Sequence, residues 1–496
     1  MDRRTPVLVG AGQVTNRRER VVSALDLMAE AATAAFADAG GRIAKAIDAV
    51  WVVHAMSWQT TAPARRVAVR LALPPGDRAT TTIGGNTPPW LVARACDAVA
   101  RGELTAVLIV GAEAIDSARR GPDQDPANQD PGALDAAGVD VVIGDDRWGV
   151  GPAEIAVGIG APAHLYPLFE SVLAARAGRS PAHQRAWLGE LLAPMSERAA
   201  QHRDLAWFPT PLTAEQIAKP GEDNRLVAEP YTKRMNSIIQ VDQGAALVVT
   251  SLETVADLGI PSDRVVFPWS AAECNDVFLP SERPDLGRSP AIAAAGAAAL
   301  EAAGIGIDDV ACFDLYSCFP SAMQIAADAL GVDPLDPRGL TVTGAMPYFG
   351  GPGNNYATHA IATMMGCCRD QPGAVGLVTG LGWYITKHAI GLYAATPPPR
   401  GWRHADCRTD QARIDATAAP VADDTTGDAV IEAMTVIHDR NAGPTAAPVF
   451  ARLGDGRRVV AAAADPHLPA ALAGTTLVGA TVRVRPGEGG HVYEPT

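Results

Sequence analysis

Two glycine-rich turns, one in each half of the chain, each lead through an aromatic residue into an Ala-rich helical run and then into a short apolar strand ending in glycine. The first is Ile83-Gly84-Gly85-Asn86-Thr87-Pro88-Pro89-Trp90, followed by Leu91 to Ala100 and the strand Ala106 to Gly111. The second is Phe349-Gly350-Gly351-Pro352-Gly353-Asn354-Asn355-Tyr356, followed by Ala357 to Met365 and the strand Ala374 to Gly380. A turn, helix and strand unit used twice predicts an α/β chain of two similar halves that meet around a pseudo-twofold axis. A glycine pair at a strand-to-helix turn lets backbone approach a ligand closely and leaves helix N-terminal N–H groups free to point at it. Both turns are therefore candidate walls of one site.

The flanking segments fill in the two halves. Pro6 to Gly10 reads as the first strand, Val21 to Ala39 as an amphipathic helix and Asp48 to Val53 as the next strand. From Ser117 to about Tyr231 the chain turns Pro-rich, acidic and helical, with Ala186 to His202 its clearest helix. A second half opens near Arg264 and ends near Tyr393, and Pro397-Pro398-Pro399 marks a boundary. Beyond it, Ala429 to Ile437, Val449 to Leu453, Arg457 to Ala462 and Leu477 to Val484 alternate with turns and predict a small OB-like β-barrel. The expected organisation is an N-terminal half over 1–263 with an inserted loop domain over about 117–231, a C-terminal half over 264–396, and an added barrel over 397–496.

These segments resemble the thiolase superfamily, whose two halves, each with a five-stranded sheet, pack into an α/β/α/β/α sandwich. Four family signatures have counterparts in order. The turn that carries the nucleophilic Cys falls at Gly85. The Asn-Glu-Ala-Phe motif, His-Asp-Cys-Phe in the sterol-carrier-protein type, is similar to Asp314-Leu315-Tyr316-Ser317-Cys318-Phe319. Gly-His-Pro resembles Gly350-Gly351-Pro352, and Cys-x-Gly resembles Val378-Thr379-Gly380. Asp242-Gln243-Gly244-Ala245-Ala246 is similar to the segment that closes the N-terminal half. The likeness spans roughly residues 5 to 395 and is greatest to the group called thiolase-like protein type 1, which carries an additional C-terminal domain.

The departures remove chemistry. Thiolysis uses a thiolate to take the acyl group, a His to activate it and a second Cys to move the proton. By the resemblance these positions are Gly85, Gly351 and Val378, none of which can do so. The family label is an acyltransferase, similar to acetyl-CoA acetyltransferase, but ordinary thiolase activity is not expected. The resemblance still implies a backbone oxyanion hole at Gly85 and Gly380, where one well-aimed donor supplies about 2.7–4 kcal/mol. Candidate acids or bases are Tyr316, at a substrate-facing position by the resemblance, His359, two helical turns past Gly351, and His388, after the Gly380 turn on an expected helix. Each also reads as a packing residue. Asn86, Asn354 and Asn355 are candidate ligand contacts and equally ordinary turn formers.

Two classes of function remain open. One is an enzyme on CoA thioesters without covalent acyl transfer, such as a retro-aldolase of β-hydroxyacyl-CoA. The family's steroid side-chain aldolases have a Tyr like Tyr316 and a second where this chain has Gly351, which Tyr348 and Tyr356 flank. The other is a protein that binds a CoA thioester or lipid acyl chain without turnover. The expected ligand is a coenzyme A thioester, with no covalently bound cofactor and no metal: the seven cysteines show no paired metal-ligand spacing. A net charge of −14 without a Lys/Arg-rich block disfavours nucleic acid. No apolar run is long enough to span a bilayer, and the first residues lack a signal-peptide core, so a cytoplasmic location is expected. Monomer and dimer both remain open.

Overall fold

The computed structural model describes residues 2–74, 76–121 and 138–496. Part of the expected 117–231 insertion, residues 122–137, lies outside the described residues, as does Met1. The N-terminal sheet is built from β1 (Pro6–Thr15), β2 (Ala49–Val52), β3 (Asp77–Thr81), β4 (Ala106–Ala114) and an edge strand β5 (Val141–Ile143). Two short strands, β6 (Leu226–Ala228) and β7 (Tyr231–Thr232), precede β8 (Asp242–Ser251), which returns to that sheet in the order β1-β8-β4-β2-β3-β5. The C-terminal sheet contains β9 (Phe267–Asn275), β10 (Val310–Asp314), β11 (Val375–Gly382), β12 (Lys387–Ala394) and the two-residue β13 (Arg403–His404), in the order β10-β11-β12-β9-β13.

The duplication extends to strand direction. In the first half β2 and β4 are parallel, β4 and β8 antiparallel, and β8 and β1 antiparallel. In the second half β10–β11, β11–β12 and β12–β9 repeat that sequence of pairings. One strand does not repeat. Where the first half has β3, the second keeps only a backbone bond from Leu315 N to Leu340 O. The reason is Asp314, whose Oδ2 accepts the N–H groups of Val342 and Thr343 and both threonine hydroxyls at 341 and 343, drawing those groups away from sheet pairing.

The helices that follow the two glycine turns, Thr87–Arg101 and Tyr356–Asp370, lie between the sheets, and each touches both. That position explains their sequences. Leu91, Ala95 and Cys96 on one, and Ala357, Ala360, Ile361, Met364 and Met365 on the other, are fully buried, with small residues where backbones come close. Each buried Leu, Ile or Met contributes about 1.5–3 kcal/mol. Pro88 and Pro89 sit in the first turn of Thr87–Arg101, where missing N–H groups cost nothing, and Gly102 ends it at φ +72°. Helices Ala24–Asp38 and Pro290–Ala303 cover the outer faces and complete five layers.

The C-terminal region is a closed five-stranded barrel: β14 (Gly427–Met434), then a hairpin of β15 (Ile437–Asp439) and β16 (Gly443–Ala446) outside the barrel, then β17 (Val449–Leu453), β18 (Arg458–Ala463), β19 (Thr481–Gly487) and β20 (Gly490–Pro495). The order β14-β17-β18-β20-β19 and the helix Leu468–Leu472 between β18 and β19 give an OB-like arrangement. Its last long strand begins at Thr481, later than the Leu477 expected from the sequence, because 477–480 turn back to bond Ile431. The β15–β16 hairpin joins β6 and β7 in one four-stranded sheet, so the barrel is tied to the inserted region. Buried Arg458 ties it to the second half as well, bonding Glu432 at 2.8 Å and the carbonyls of Pro280, Ser281 and Arg283. Among the described residues no helix is long and apolar enough to cross a membrane.

Candidate functional site

The two glycine turns meet. Asn354 in the second turn accepts the N–H of Gly84 in the first at 2.9 Å and donates to His54 O at 2.9 Å. Asn355 donates to Gly111 O at 2.6 Å and accepts from Thr358. Both asparagines are thus spent on holding backbone, Asn354 that of the first turn and Asn355 that of β4.

Strand β11 supplies the opposite wall. Its residues alternate between faces, so Val378, Gly380 and Gly382 share one. A Cβ at Gly380 would lie 2.7 Å from Pro89 Cγ and 2.8 Å from Asn86 Cα, and one at Gly382 would lie 2.4 Å from Asn86 Oδ1. Only glycine lets this strand approach the turn so closely. The third wall is Tyr316, which follows β10 and has its N–H on Thr379 Oγ1 at 2.8 Å. A Cβ at Gly85 would lie 2.0 Å from the Tyr316 hydroxyl oxygen and 2.6 Å from Leu381 O. The tyrosine occupies the space a side chain at 85 would need.

Tyr316 is 7% exposed, and its ring meets Tyr356 edge-on at 5.6 Å. Burial pushes its phenol far above the usual range, with the neighbouring Cys318 adding to the shift, so it is a neutral donor and not a base. Burial likewise raises the Cys318 thiol to about 12. Among the described residues the Tyr316 hydroxyl makes no hydrogen bond, nor do the backbone N–H groups of Gly85 and Asn86. Asn86 Oδ1 is buried and unpartnered.

The other candidates lie elsewhere. His359 is fully buried between the halves, with Nδ1 on Gln13 Oε1 at 2.8 Å and its ring against Phe349. Burial lowers its pKa to about 3, leaving it neutral. His388 belongs to β12 and not to a helix, and alternation sends it away from the turn to Asp276 Oδ2 at 3.1 Å. Gly351 sits against Ser237 and Ile238, its N–H on Ile238 O at 2.8 Å, with no side chain reaching the Gly85 turn from it.

The residue that the sequence reading missed is Lys387. Alternation along β12 puts it on the side His388 leaves, and its Nζ donates to Ile83 O at 2.6 Å and Asp145 O at 2.9 Å. It is 2% exposed, and burial lowers its pKa. A lysine opening an otherwise apolar strand, Lys387-His388-Ala389-Ile390, was the available signal. Above the site, Tyr166 from the helix Pro162–Arg176 stacks on Phe319 at 4.3 Å and donates to Trp383 O at 2.8 Å. Among the described residues no group of three metal-ligating side chains occurs.

This geometry has relatives. Residues 411–489 match the family model described as the thiolase-like protein type 1 additional C-terminal domain. No curated protein matches. Among solved structures, the Ltp2–ChsH2(DUF35) aldolase is 20% identical over 79% of this chain and 98% of its own, with a TM-score of 0.60. Human mitochondrial 3-ketoacyl-CoA thiolase in complex with CoA is 17% identical over 79% of this chain and 99% of its own, at 0.55. These two establish likeness of fold alone. A monomeric SCP2-thiolase-like protein type 1 from Mycobacterium smegmatis is 33% identical over 100% of both chains, with a TM-score of 0.85. With that identity along its whole length, and the type 1 additional domain at its C-terminal end, the chain belongs to the SCP2-thiolase-like protein type 1 family.

Proposed function

We propose that this chain binds an acyl-CoA thioester, or a lipid acyl chain, at the Gly85 turn and performs no covalent acyl transfer. The observation that carries this reading is the Tyr316 hydroxyl in the space where a nucleophile's side chain would start. Gly351 and Val378 offer no replacement acid or base, and neither histidine candidate faces the turn. What remains is a set of backbone donors. The free N–H groups of Gly85 and Asn86 would receive the thioester oxygen, with Gly380 closing the other side, and each such donor holds an oxygen with its charge well placed. The test is mass spectrometry of CoA species after incubation with a panel of β-keto- and β-hydroxyacyl-CoAs, together with CoA retained after desalting. Retained CoA and an unchanged panel support binding without turnover; a free-CoA-dependent shortening of a β-ketoacyl-CoA would overturn it.

A second reading, retro-aldol cleavage of a β-hydroxyacyl-CoA, draws on the unbonded Tyr316 hydroxyl and on the fold likeness to an aldolase. Here the bond between the α and β carbons breaks, the β-carbon leaves as a carbonyl, and Tyr316 gives its proton to the α-carbon of the enolate. Because Tyr316 is itself protonated, the β-hydroxyl proton has to leave to solvent, and a proton from solvent then restores the Tyr316 phenol, so the cycle closes with no net proton change. Replacing Tyr316 by Phe should abolish such cleavage, and full retention of activity would end this reading.

The relative described as monomeric, and β5 lying along the outer edge of β3, support a monomer for this chain too. Light scattering of the purified protein at a mass near twice 51.5 kDa would contradict this.

A further inference from the structure

Beside the Gly85 turn lies a cavity of about 410 Å³ whose walls include Trp148, Trp383, Ile83, Thr80, Thr82 and Asp145. The two indoles pair at 5.5 Å between ring centroids with their planes 40° apart. Trp148 is 69% exposed and Ile83 41%, a costly way to place large apolar groups unless something apolar covers them. Trp383 is held in the left-handed region at φ 59°, which non-glycine residues seldom adopt. Its carbonyl is anchored by the Tyr166 hydroxyl, and Gly149 lets the neighbouring loop lie on its ring, because a Cβ there would come within 2.5 Å of Trp383 Cβ. The base of the cavity is cross-linked. Thr82 donates to Asp145 O at 2.9 Å, and Lys387 holds Ile83 O and Asp145 O together.

We infer that this cavity is a preformed pocket for an aryl-bearing acyl group, its ring lying against Trp148 and Trp383. Aromatic walls prefer a flat aromatic partner in offset or edge-on contact over a straight alkyl chain, and a volume of this size accommodates a one- or two-ring group. Ile83, which lines the cavity, is followed directly by Gly84 and Gly85, so the cavity adjoins the turn through that residue. The inference rests on the proposed binding reading only in taking the ligand's other end to be a thioester.

The test separates the two. Isothermal titration with 2-naphthylacetic acid and with decanoic acid, as free acids, probes the pocket without CoA, and CoA alone is titrated into the same preparation. The expected result is that naphthylacetate binds roughly tenfold more tightly than decanoate, and that Trp148→Ala, at an exposed position, loses about that factor for naphthylacetate alone. Decanoate binding as well or better, no binding of either acid, or an unchanged affinity in Trp148→Ala overturns the inference. CoA binding or not binding bears only on the thioester reading.

Discussion

Replacing Gly85 by Ala asks for one methyl group in a place already full. The new Cβ would stand 2.0 Å from the Tyr316 hydroxyl oxygen, 2.5 Å from its Cζ and 2.6 Å from Leu381 O, where ordinary non-bonded contacts begin near 3.5 Å. None of these atoms gives way cheaply. Tyr316 is pinned by its N–H on Thr379 and by the ring of Tyr356, and Leu381 is in β11, paired to His388 of β12. Overpacking of this kind costs about 1–3 kcal/mol, sometimes more. Gly85 does not lie in the left-handed region, so no backbone strain confuses the reading. At about 2–4 °C per kcal/mol for a unit of 150–250 residues, the thermal midpoint should fall by roughly 2–12 °C. The control is the same substitution in a Tyr316→Ala background. Tyr316→Ala alone should cost about 3–5 kcal/mol, but adding Gly85→Ala should then cost less than it does in the native chain, with a coupling of about 0.5–3 kcal/mol. A native-like midpoint for Gly85→Ala, or strict additivity in the double variant, would refute the steric account on which the proposal of no acyl transfer rests.

Other consequences are as direct. His404 links three segments, with Nδ1 on Asp97 at 2.6 Å and Nε2 on Glu273 at 2.7 Å; burial works to lower its pKa, but the two carboxylates outweigh this and lift it to about 10. Its folded value exceeds the unfolded one near 6.5, so its contribution is full below pH 6.5 and is lost as pH rises towards 10; His404→Asn should remove that slope from urea midpoints, and an unchanged slope would deny the ion clip. His359 has the opposite sign: with burial holding it to about 3, the unfolded chain protonates first, and stability falls as pH drops below about 6.5. Asp314, raised by burial to about 6 against the hydrogen bonds from Thr341, Thr343 and Tyr356, opposes that fall between about pH 4 and 6. His359→Asn should therefore lose stability with acid less steeply than the native chain, by about 1.4 kcal/mol per pH unit, and parallel urea-midpoint curves would contradict the assignment. Arg458→Ala takes the guanidinium from the buried carbonyls of Pro280, Ser281 and Arg283, while Glu432 keeps its pair with Arg452; it should cost about 1–3 kcal/mol and expose the barrel to limited proteolysis, and unaltered protection would show the contact idle.

How much of this was legible in the chain depends on range in sequence. The duplicated halves were visible because each turn, helix and strand unit is local: the glycine pair, the aromatic five residues on and the Ala-rich run all lie within one stretch, and the pairing directions of β2-β4-β8-β1 recur in β10-β11-β12-β9. The barrel was visible for the same reason, as alternating strands between turns. The missing β3 counterpart was hidden because Asp314, which draws 341–343 away from the sheet, acts across a helix and a loop. Lys387 and His388 show a subtler failure. His388 was the candidate because it follows the Gly380 turn, on an expected helix, whereas the segment is a strand, whose period of two sends the neighbours to opposite faces and gives the turn to Lys387.

The site itself was legible as a set of losses, not as a structure. Sequence shows that position 85 has no side chain; only the fold shows that Tyr316, from the other half of the chain, occupies the space one would need. The two are different kinds of change. A deleted nucleophile alone would leave a vacancy that a single substitution could refill, but here Gly85→Cys would drive its Cβ into the Tyr316 hydroxyl and Leu381 O. Placing a thiol at 85 therefore requires a shorter residue at 316, and even then neither Gly351 nor Val378 can activate the thiol or shuttle a proton. The two halves are thus coupled at this point, since the glycine of the first half is what admits the tyrosine of the second, and the proposal of no covalent acyl transfer rests on that pair. The unbonded backbone N–H groups of Gly85 and Asn86 are there whatever the side chains around them, because they belong to the main chain.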